Sequence, residues 1–283
     1  MPIQIKKCRH DKLIQNIIDM KLLQTLLLIL LGTMVAVSCS DNASSDSEHG
    51  TMRILLTDAP GNYDAVYIDI QAVRIHRSSS AEDGESGWIE IDTEPMIVDL
   101  LELTNGKFEV LGETDLEPGR YSQLRLILGD RNEVVIDGVS HNLSTPSAQQ
   151  SGLKLQINAD IEGGEMYTLV LDFDASRSIV KAGNSGRYNL KPVIRTVRLE
   201  QSGAIEGAIV PAGIEPWVYA IAGEDTLAGT RASANGEFLM IGLLSGTYQV
   251  SVVPTNDENS MTVISNVEVN APNTTHVGTI TLE

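Results

Sequence analysis

From Thr51 onward, apolar and polar residues alternate with the two-residue period of an extended strand, and no stretch sustains the 3.6-residue repeat of a helix. TMRILLT predicts a first strand, closed by the turn residues DAPGNYD. In VYIDIQAVRIHR, Val66, Ile68 and Ile70 share one face while Val73 and Ile75 fall on the other, so the pattern requires a bulge or bend near Gln71. WIEI, MIVDLLEL and KFEVL follow, the second of them partly helical in character. EPGRYSQLRLILGD is the clearest strand: a Pro-Gly turn introduces Tyr121, and Leu124, Leu126 and Leu128 lie on one face. EVVIDGVSHNL reads as a hairpin, because Asp137-Gly138 supplies the positive-φ pair that a two-residue turn needs. GLKLQI, MYTLVLDFDA and YNLKPVIRTVRLE bring the first set to nine or ten strands.

QSG at 201–203 predicts a hinge. A second set of strands follows in GAIEGAIV, PWVYAIAG, TLAGTRAS, ANGEFLMIGLLSGTYQVSVVP, MTVISNVEV and HVGTITLE. Phe238, Leu243, Tyr248 and Val250 are expected in its core, with Gly236 and Gly246 serving turn geometry. So many short strands separated by turn signals predict an all-β chain of two tandem β-sandwiches, at residues 51–200 and 201–283.

Ahead of the strands the pattern changes. Met20-Lys21 is followed by LLQTLLLILLGTMVAV, a basic residue and then an apolar run ending in small residues, which is the order of a secretory signal. The run from Leu22 to Val37 is shorter than the roughly 20 residues of a spanning helix. Asp11 and Asp19 interrupt the segment before it, so translation is expected to start at Met20, with residues 1–38 forming the signal region. Cys8 then precedes the mature chain and Cys39 stands alone, without an intrachain disulfide partner. The stretch Val37-Ser38-Cys39 resembles the lipobox of bacterial lipoproteins of the Bacteroidetes type, departing from the strict form in having Ala36 where Leu is preferred. This resemblance implies lipid attachment at Cys39 and membrane anchoring through acyl chains. Residues 39–50 then serve as the lipidated cysteine and a flexible polar tether. Asp41, Asp46 and Glu48 are similar to a surface-export signal, which favours the cell surface over the periplasmic face of the outer membrane.

Composition sharpens this picture. Aromatic residues make up only 4% of the chain, against 42% hydrophobic, which suits pleated sheet better than helical bundles. Residues 1–38 hold five of the 20 basic and two of the 38 acidic side chains, so the remainder carries a net charge near −21. Such a body is repelled by phosphate backbones, which excludes nucleic acid as a natural partner.

TDAPGNYDAVYIDI, PGRYSQLRLIL, LDFDA and YNLKPVIR together resemble the bacterial family called domain of unknown function 4382, over nearly all of residues 51–199. The resemblance implies a secreted or lipid-anchored β-rich domain with no assigned activity. ANGEFLMIGLLSGTYQVSVV is similar to carboxypeptidase-regulatory-like, transthyretin-like domains, a small Greek-key sandwich classed with carbohydrate-binding-like folds.

Candidate chemistry is sparse. No G-x-S-x-G, HExxH, P-loop or dinucleotide fingerprint occurs, and His49, His76, His141 and His276 stand too far apart in sequence to pair as metal ligands. No enzymatic activity, cofactor or metal is therefore expected. The acidic residues Asp58, Asp64, Asp172 and Asp174 form the one candidate cluster, suited to a carboxylate-dependent hydrolase or to calcium only if they converge. Otherwise Asp58 closes its own turn, and Asp172 and Asp174 face solvent or neighbouring loop amides. Trp88, Trp217 and Tyr219 are the candidate ligand contacts for a glycan, provided they are exposed. The expected function is a lipid-anchored, non-enzymatic binding, adhesion or structural module of the cell envelope. Its partners would be the membrane, through Cys39, and a glycan or an envelope or host protein.

Overall fold

A computed structural model describes residues 48–59, 61–82, 84, 86–145, 152–183 and 185–283. The predicted signal, Cys39 and most of the tether lie outside the described residues. Ser47–Glu283 form one compact unit in which, among the described residues, four sheets enclose two main hydrophobic cores.

The first sandwich contains β1 (Gly50–Ala59), β2 (Ala65–His76), β3 (Ile89–Ile91), β4 (Met96–Asp99), β5 (Glu109–Leu116), β6 (Gly119–Leu128) and β7 (Glu133–Ile136). It continues with β8 (Val139–Ser144), β9 (Leu153–Ile161), β10 (Met166–Asp174), the short helix α1 (Ala175–Ser178), β11 (Ile179–Lys181), β12 (Tyr188–Leu190) and β13 (Ile194–Arg198). One sheet has the order β13-β10-β1-β5, and β1 runs parallel to β10. The facing sheet has the order β11-β12-β8-β7-β2-β6-β9, with β3 and β4 also paired to β2. Ile54, Leu56, Leu169, Leu171 and Phe173 of the first sheet meet Ile68, Ile70, Leu124 and Leu126 of the second in one core. Burying each such side chain contributes about 1.5–3 kcal/mol.

The second sandwich contains β14 (Gly203–Val210), β15 (Trp217–Ala222), β16 (Asp225–Arg231), β17 (Glu237–Leu243), β18 (Gly246–Val253), β19 (Thr262–Val269) and β20 (Thr274–Thr281). Its sheets have the orders β17-β14-β20 and β16-β15-β18-β19. Phe238, Leu243, Tyr248 and Val250 are all buried between them, as the pattern predicts.

Several local predictions are met by visible geometry. The pairing of β2 with β6 shifts between Ile70 and Ala72, which places the bulge at Gln71 and turns Val73 and Ile75 back into the core. Asp137 and Gly138 have φ of 52° and 74° and join β7 to β8 through the Ile136–Val139 pair. The helical character of MIVDLLEL is a single 3-10 turn, Leu100–Glu102, capped by the Asp99 carboxylate, which accepts from Leu101 N–H.

Other predictions are corrected. The first set has thirteen strands among the described residues rather than nine or ten; β11, over Ile179–Lys181, has no counterpart in the predicted set, and one predicted segment divides. YNLKPVIRTVRLE is two strands: β12 pairs with β8 and β13 with β10, in opposite sheets. Pro192 lies in the break, where it can donate no ladder hydrogen bond. The strand expected at KFEVL begins only at Glu109 and runs on to Leu116. Gly246 does not adopt a positive φ, unlike Gly236 at 90°, so only the latter is demanded by its turn.

Within β5, Gly112 is crossed closely by the chain at Asp92. A Cβ there would stand 2.3 Å from the Asp92 carbonyl oxygen, a backbone atom that cannot swing aside. Gly112→Ala is expected to lower unfolding stability by about 1–3 kcal/mol, a typical overpacking cost. Denaturant titration checks it, and an unchanged midpoint would contradict the packing described.

Candidate functional site

The acidic residues of DAPGNYD and LDFDA are brought together because β1 and β10 are parallel neighbours. Thr57 pairs with Asp172, Asp58 with Phe173 and Ala59 with Asp174. Three of the four candidate carboxylates, Asp58, Asp172 and Asp174, thus gather at the C-terminal ends of two adjacent strands. Asp64 does not join them: it is exposed and accepts a hydrogen bond from Gly138 N–H at the β7–β8 turn.

Each gathered carboxylate has a distinct environment. Asp174 caps α1, accepting from Arg177 N–H at 2.8 Å and pairing with Arg177 Nε. Asp172 is largely buried rather than facing solvent, and its Oδ2 accepts from Arg195 Nη2 at 2.7 Å and Nε at 3.2 Å. Burial raises the Asp172 carboxyl from its ordinary value, and Arg195 works against that rise. Asp58 is only 3% exposed. Its Oδ1 accepts from Ala175 N–H at the start of α1, so it ties β1 to the helix instead of closing its own turn, and Oδ2 has no partner. Burial holds the Asp58 carboxyl well above the usual carboxylate range. The Ala175 bond opposes this, and the charges of Asp172, Asp174 and Asp99 reinforce it.

Arg195 extends past Asp172 to the second sandwich, where its Nη1 donates to Gly242 O at 2.7 Å. β17 is an edge strand, and a second side chain reaches it from the first sandwich. Asn105 Nδ2 donates to Glu237 O at 3.2 Å and Asn105 Oδ1 accepts from Leu239 N–H at 2.6 Å. These are the acceptor and donor that flank one residue on the free side of a strand, the pair a neighbouring parallel strand engages. One carboxamide therefore stands in for a strand. Asn105 N–H also donates to Thr230 Oγ1 of β16 at 2.7 Å. Asn105 itself has φ of 58° and Gly106 has 77°, and a Cβ on Gly106 would come within 2.7 Å of Leu239. Between the polar contacts, Leu55, Val170 and Val197 form a buried apolar row on the outer face of the first sheet, in register across β1, β10 and β13. The predicted hinge at 201–203 is thus spanned by a bonded seam. Next to it, Leu199–Gln201 is a 3-10 turn whose Leu199 carbonyl accepts from Ser202 N–H and Oγ.

Among the described residues several hollows border the seam, one of about 620 Å³ beside Asn105, Glu237, Leu239, Glu206 and His276. A cleft of about 200 Å³ lies between Asp172, Asp174, Arg177 and Arg195 on one side and Asp225–Ala228 on the other. Another, of about 10 Å³, is bordered by Thr57, Asp58, Asn105 and Asp172 from the first sandwich and by Thr230 and Leu239 from the second.

The aromatic candidates are partly covered. Trp88 is half-buried, with Arg125 stacked 4.7 Å from its ring, His76 at 5.1 Å and its Nε1 donating to Glu82 O. Trp217 is half-buried under Arg231 at 5.1 Å. Tyr219 is also half-buried, and burial raises its phenol, with the charge of Asp174 across the seam adding to the effect. Trp88 lies on the first sandwich, Trp217 and Tyr219 on the second, so they do not converge on one platform. Among the described residues, no group of three or more His, Cys, Asp or Glu side chains is arranged to hold a metal ion. Among them too, no helix is long and apolar enough to cross a membrane.

Sheets, cores and seam define an all-β protein built of two joined sandwiches. The chain belongs to the family described as domain of unknown function (DUF4382), whose model matches residues 49–192. No curated protein matches it. Among solved structures it is similar to the Bacillus anthracis TIE protein, at 11% identity and a TM-score of 0.22, over 83% of this chain and 34% of that one. It is also similar to the minor pilin of Streptococcus agalactiae, at 10% identity and a TM-score of 0.22, over 82% of this chain and 95% of the pilin. A fimbrial protein from Bacteroides ovatus shows 10% identity and a TM-score of 0.21, over 83% of this chain and 50% of that one. The chain thus spans about a third of the first of these proteins and half of the last.

Asn105→Gly keeps the positive φ available while deleting both edge bonds. It is expected to cost about 1–3 kcal/mol, because Leu239 N–H loses its partner. Calorimetric unfolding checks this, and a variant as stable as the wild type would show that the carboxamide is dispensable. Arg195→Met leaves Asp172 largely buried without its counter-charge. Adding Asp172→Leu to that variant is expected to restore stability rather than reduce it further, as replacing both ends of a buried ion pair often does. Additive losses in the double variant would mean that the two side chains act independently.

Proposed function

We propose that the protein is a non-enzymatic module of the cell envelope, anchored by lipid on Cys39, whose two sandwiches present binding or adhesive surfaces as one joined body. The observation that carries this reading is the use of the candidate acidic cluster. Asp172 and Asp174 are both paired with arginines, and the Arg195 that holds Asp172 is spent on an edge carbonyl of the second sandwich. A hydrolytic pair needs carboxyls free to flank a scissile bond, one of them poised as an acid. Here Asp58, whose carboxyl burial holds well above the usual carboxylate range, is sealed from solvent.

A body that stands off a membrane on a polar tether gains from such a seam, since load or a bound partner is then carried by both sandwiches together. On this reading the second sandwich is a carboxypeptidase-regulatory-like domain, and the ligand is a glycan or an envelope or host protein. The net charge near −21 of the chain beyond residue 38 supports a partner other than nucleic acid.

Treatment of intact cells with a membrane-impermeant protease, comparing wild type with Cys39→Ser, tests the proposal. Cleavage of the wild type on intact cells and release of the variant into the soluble fraction are the expected results. Protection of the wild type would move the protein to the inner side of the envelope. A variant that still fractionates with membranes would overturn the lipid anchor.

A further inference from the structure

We propose that the outer face of β2, β6 and β9 holds a binding site for a uronate-bearing polysaccharide, covered by the chain's own segment Arg77–Glu82. The inference rests on the reading of the protein as a binding module and names its ligand class, without depending on the lipid anchor.

Strand register builds the site. Arg74 of β2 lies opposite Arg125 of β6, and Arg125 lies opposite Lys154 of β9. In the next row His76, Gln123 and Gln156 stand opposite one another in the same way. Val73, Ile75, Leu124 and Leu126 alternate with these residues and fill the core, so both polar rows face outward. Like charges placed directly opposite one another destabilise a sheet. In a body of net charge near −21, a row of three cations is a feature that folding does not require, and an anionic ligand gives it a use. The spacing selects the ligand. Neighbouring strands lie about 4.8 Å apart, comparable to the repeat of a polyuronate with one carboxylate per ring, whereas carboxylates on one side of an extended peptide recur about every 6.6 Å. Trp88 adds an aromatic face beside the rows, next to both Arg125 and His76.

The segment Arg77–Glu82 offers acceptors to the donors of this site. Arg125 Nη2 donates to Ala81 O at 3.2 Å, Gln156 Nε2 to Ser79 O at 3.1 Å and Trp88 Nε1 to Glu82 O at 2.9 Å, while Lys154 Nζ pairs with Glu82 Oε2 at 3.2 Å. Carbonyls and a carboxylate thus stand where sugar hydroxyls and uronate groups would. The cover leaves one demand unmet: Gln123 is only 1% exposed, and neither end of its carboxamide has a hydrogen-bond partner. A buried amide without partners is unfavourable, and either water or a ligand hydroxyl would relieve it once the segment lifts. The segment is lightly held. Ala81 is its one buried residue, Ser78–Ser80 are exposed, and the Glu82–Lys154 pair lies at the surface, where such pairs contribute little.

Calorimetric titration of the purified protein with oligogalacturonate tests the site. Wild type is expected to bind, and the double variant Arg74→Gln/Lys154→Gln to bind at least about tenfold more weakly. Both side chains are partly or fully exposed, so an unchanged unfolding midpoint is expected to show that the variant's fold is intact. Glu82→Gln removes the ionic hold of the segment and is expected to bind about threefold or more tightly than wild type, because the uncovered fraction rises. Absence of binding in both wild type and Glu82→Gln, or equal binding by the double variant, would overturn the site. Equal competition by polyglutamate would assign the face to acidic peptides and overturn the polysaccharide. Each of these failures leaves the protease result on intact cells unaffected, so the site and the envelope reading fail separately.

Discussion

An unpaired strand edge is the constraint around which the joining of the two sandwiches is organised. β17 ends its sheet, and its free side carries backbone donors and acceptors that must find partners once they are taken from water. The first sandwich meets that demand with a side chain. Only a carboxamide offers a donor and an acceptor in the spacing required, so Asn105 can satisfy Glu237 O and Leu239 N–H together. Asn also tolerates the left-handed conformation that aims it there, and Gly106 leaves room for Leu239 to approach. Aspartate would keep the acceptor and lose the donor, and leucine would lose both.

The acidic cluster follows from the same requirement. Arg195 covers a second edge carbonyl, at Gly242, and a guanidinium held in that partly buried place needs a counter-charge, which Asp172 supplies. The parallel pairing of β1 and β10 then brings Asp58 and Asp174 alongside. None of these bonds is individually large: a hydrogen bond contributes about 1 kcal/mol net, and a partly buried ion pair returns little after desolvation. The apolar row of Leu55, Val170 and Val197 supplies bulk attraction without direction. What the polar contacts add is register, since an apolar row slides at low cost and a bonded edge does not.

Much of the local structure is readable along the chain because it is encoded locally. The face switch between Ile70 and Val73, the Asp137-Gly138 turn and the leucine face of β6 all rest on the conformational needs of a few adjacent residues. The acidic pair Asp172 and Asp174 is readable as a pair for the same reason. Its partners are not, because Arg195 arrives from a strand 23 residues on and Asp58 from a strand 114 residues earlier. Asn105 is the least legible of all. It sits in an ordinary Thr-Asn-Gly-Lys turn, and its partners lie 132 and 134 residues downstream. The one available signal was an Asn-Gly turn placed beyond any two-residue hairpin, and QSG at 201–203 argued for independence in the opposite direction. Flexible-looking sequence between two sandwiches does not report whether other segments bridge them.

The claim that the two sandwiches move as one body is tested most directly by backbone ¹⁵N relaxation measured separately for the strands β1–β13 and β14–β20. A single rotational correlation time for both sets is the result expected of a seam bonded at Asn105 and Arg195. Two distinct times, each that of a smaller independent body, would contradict the account.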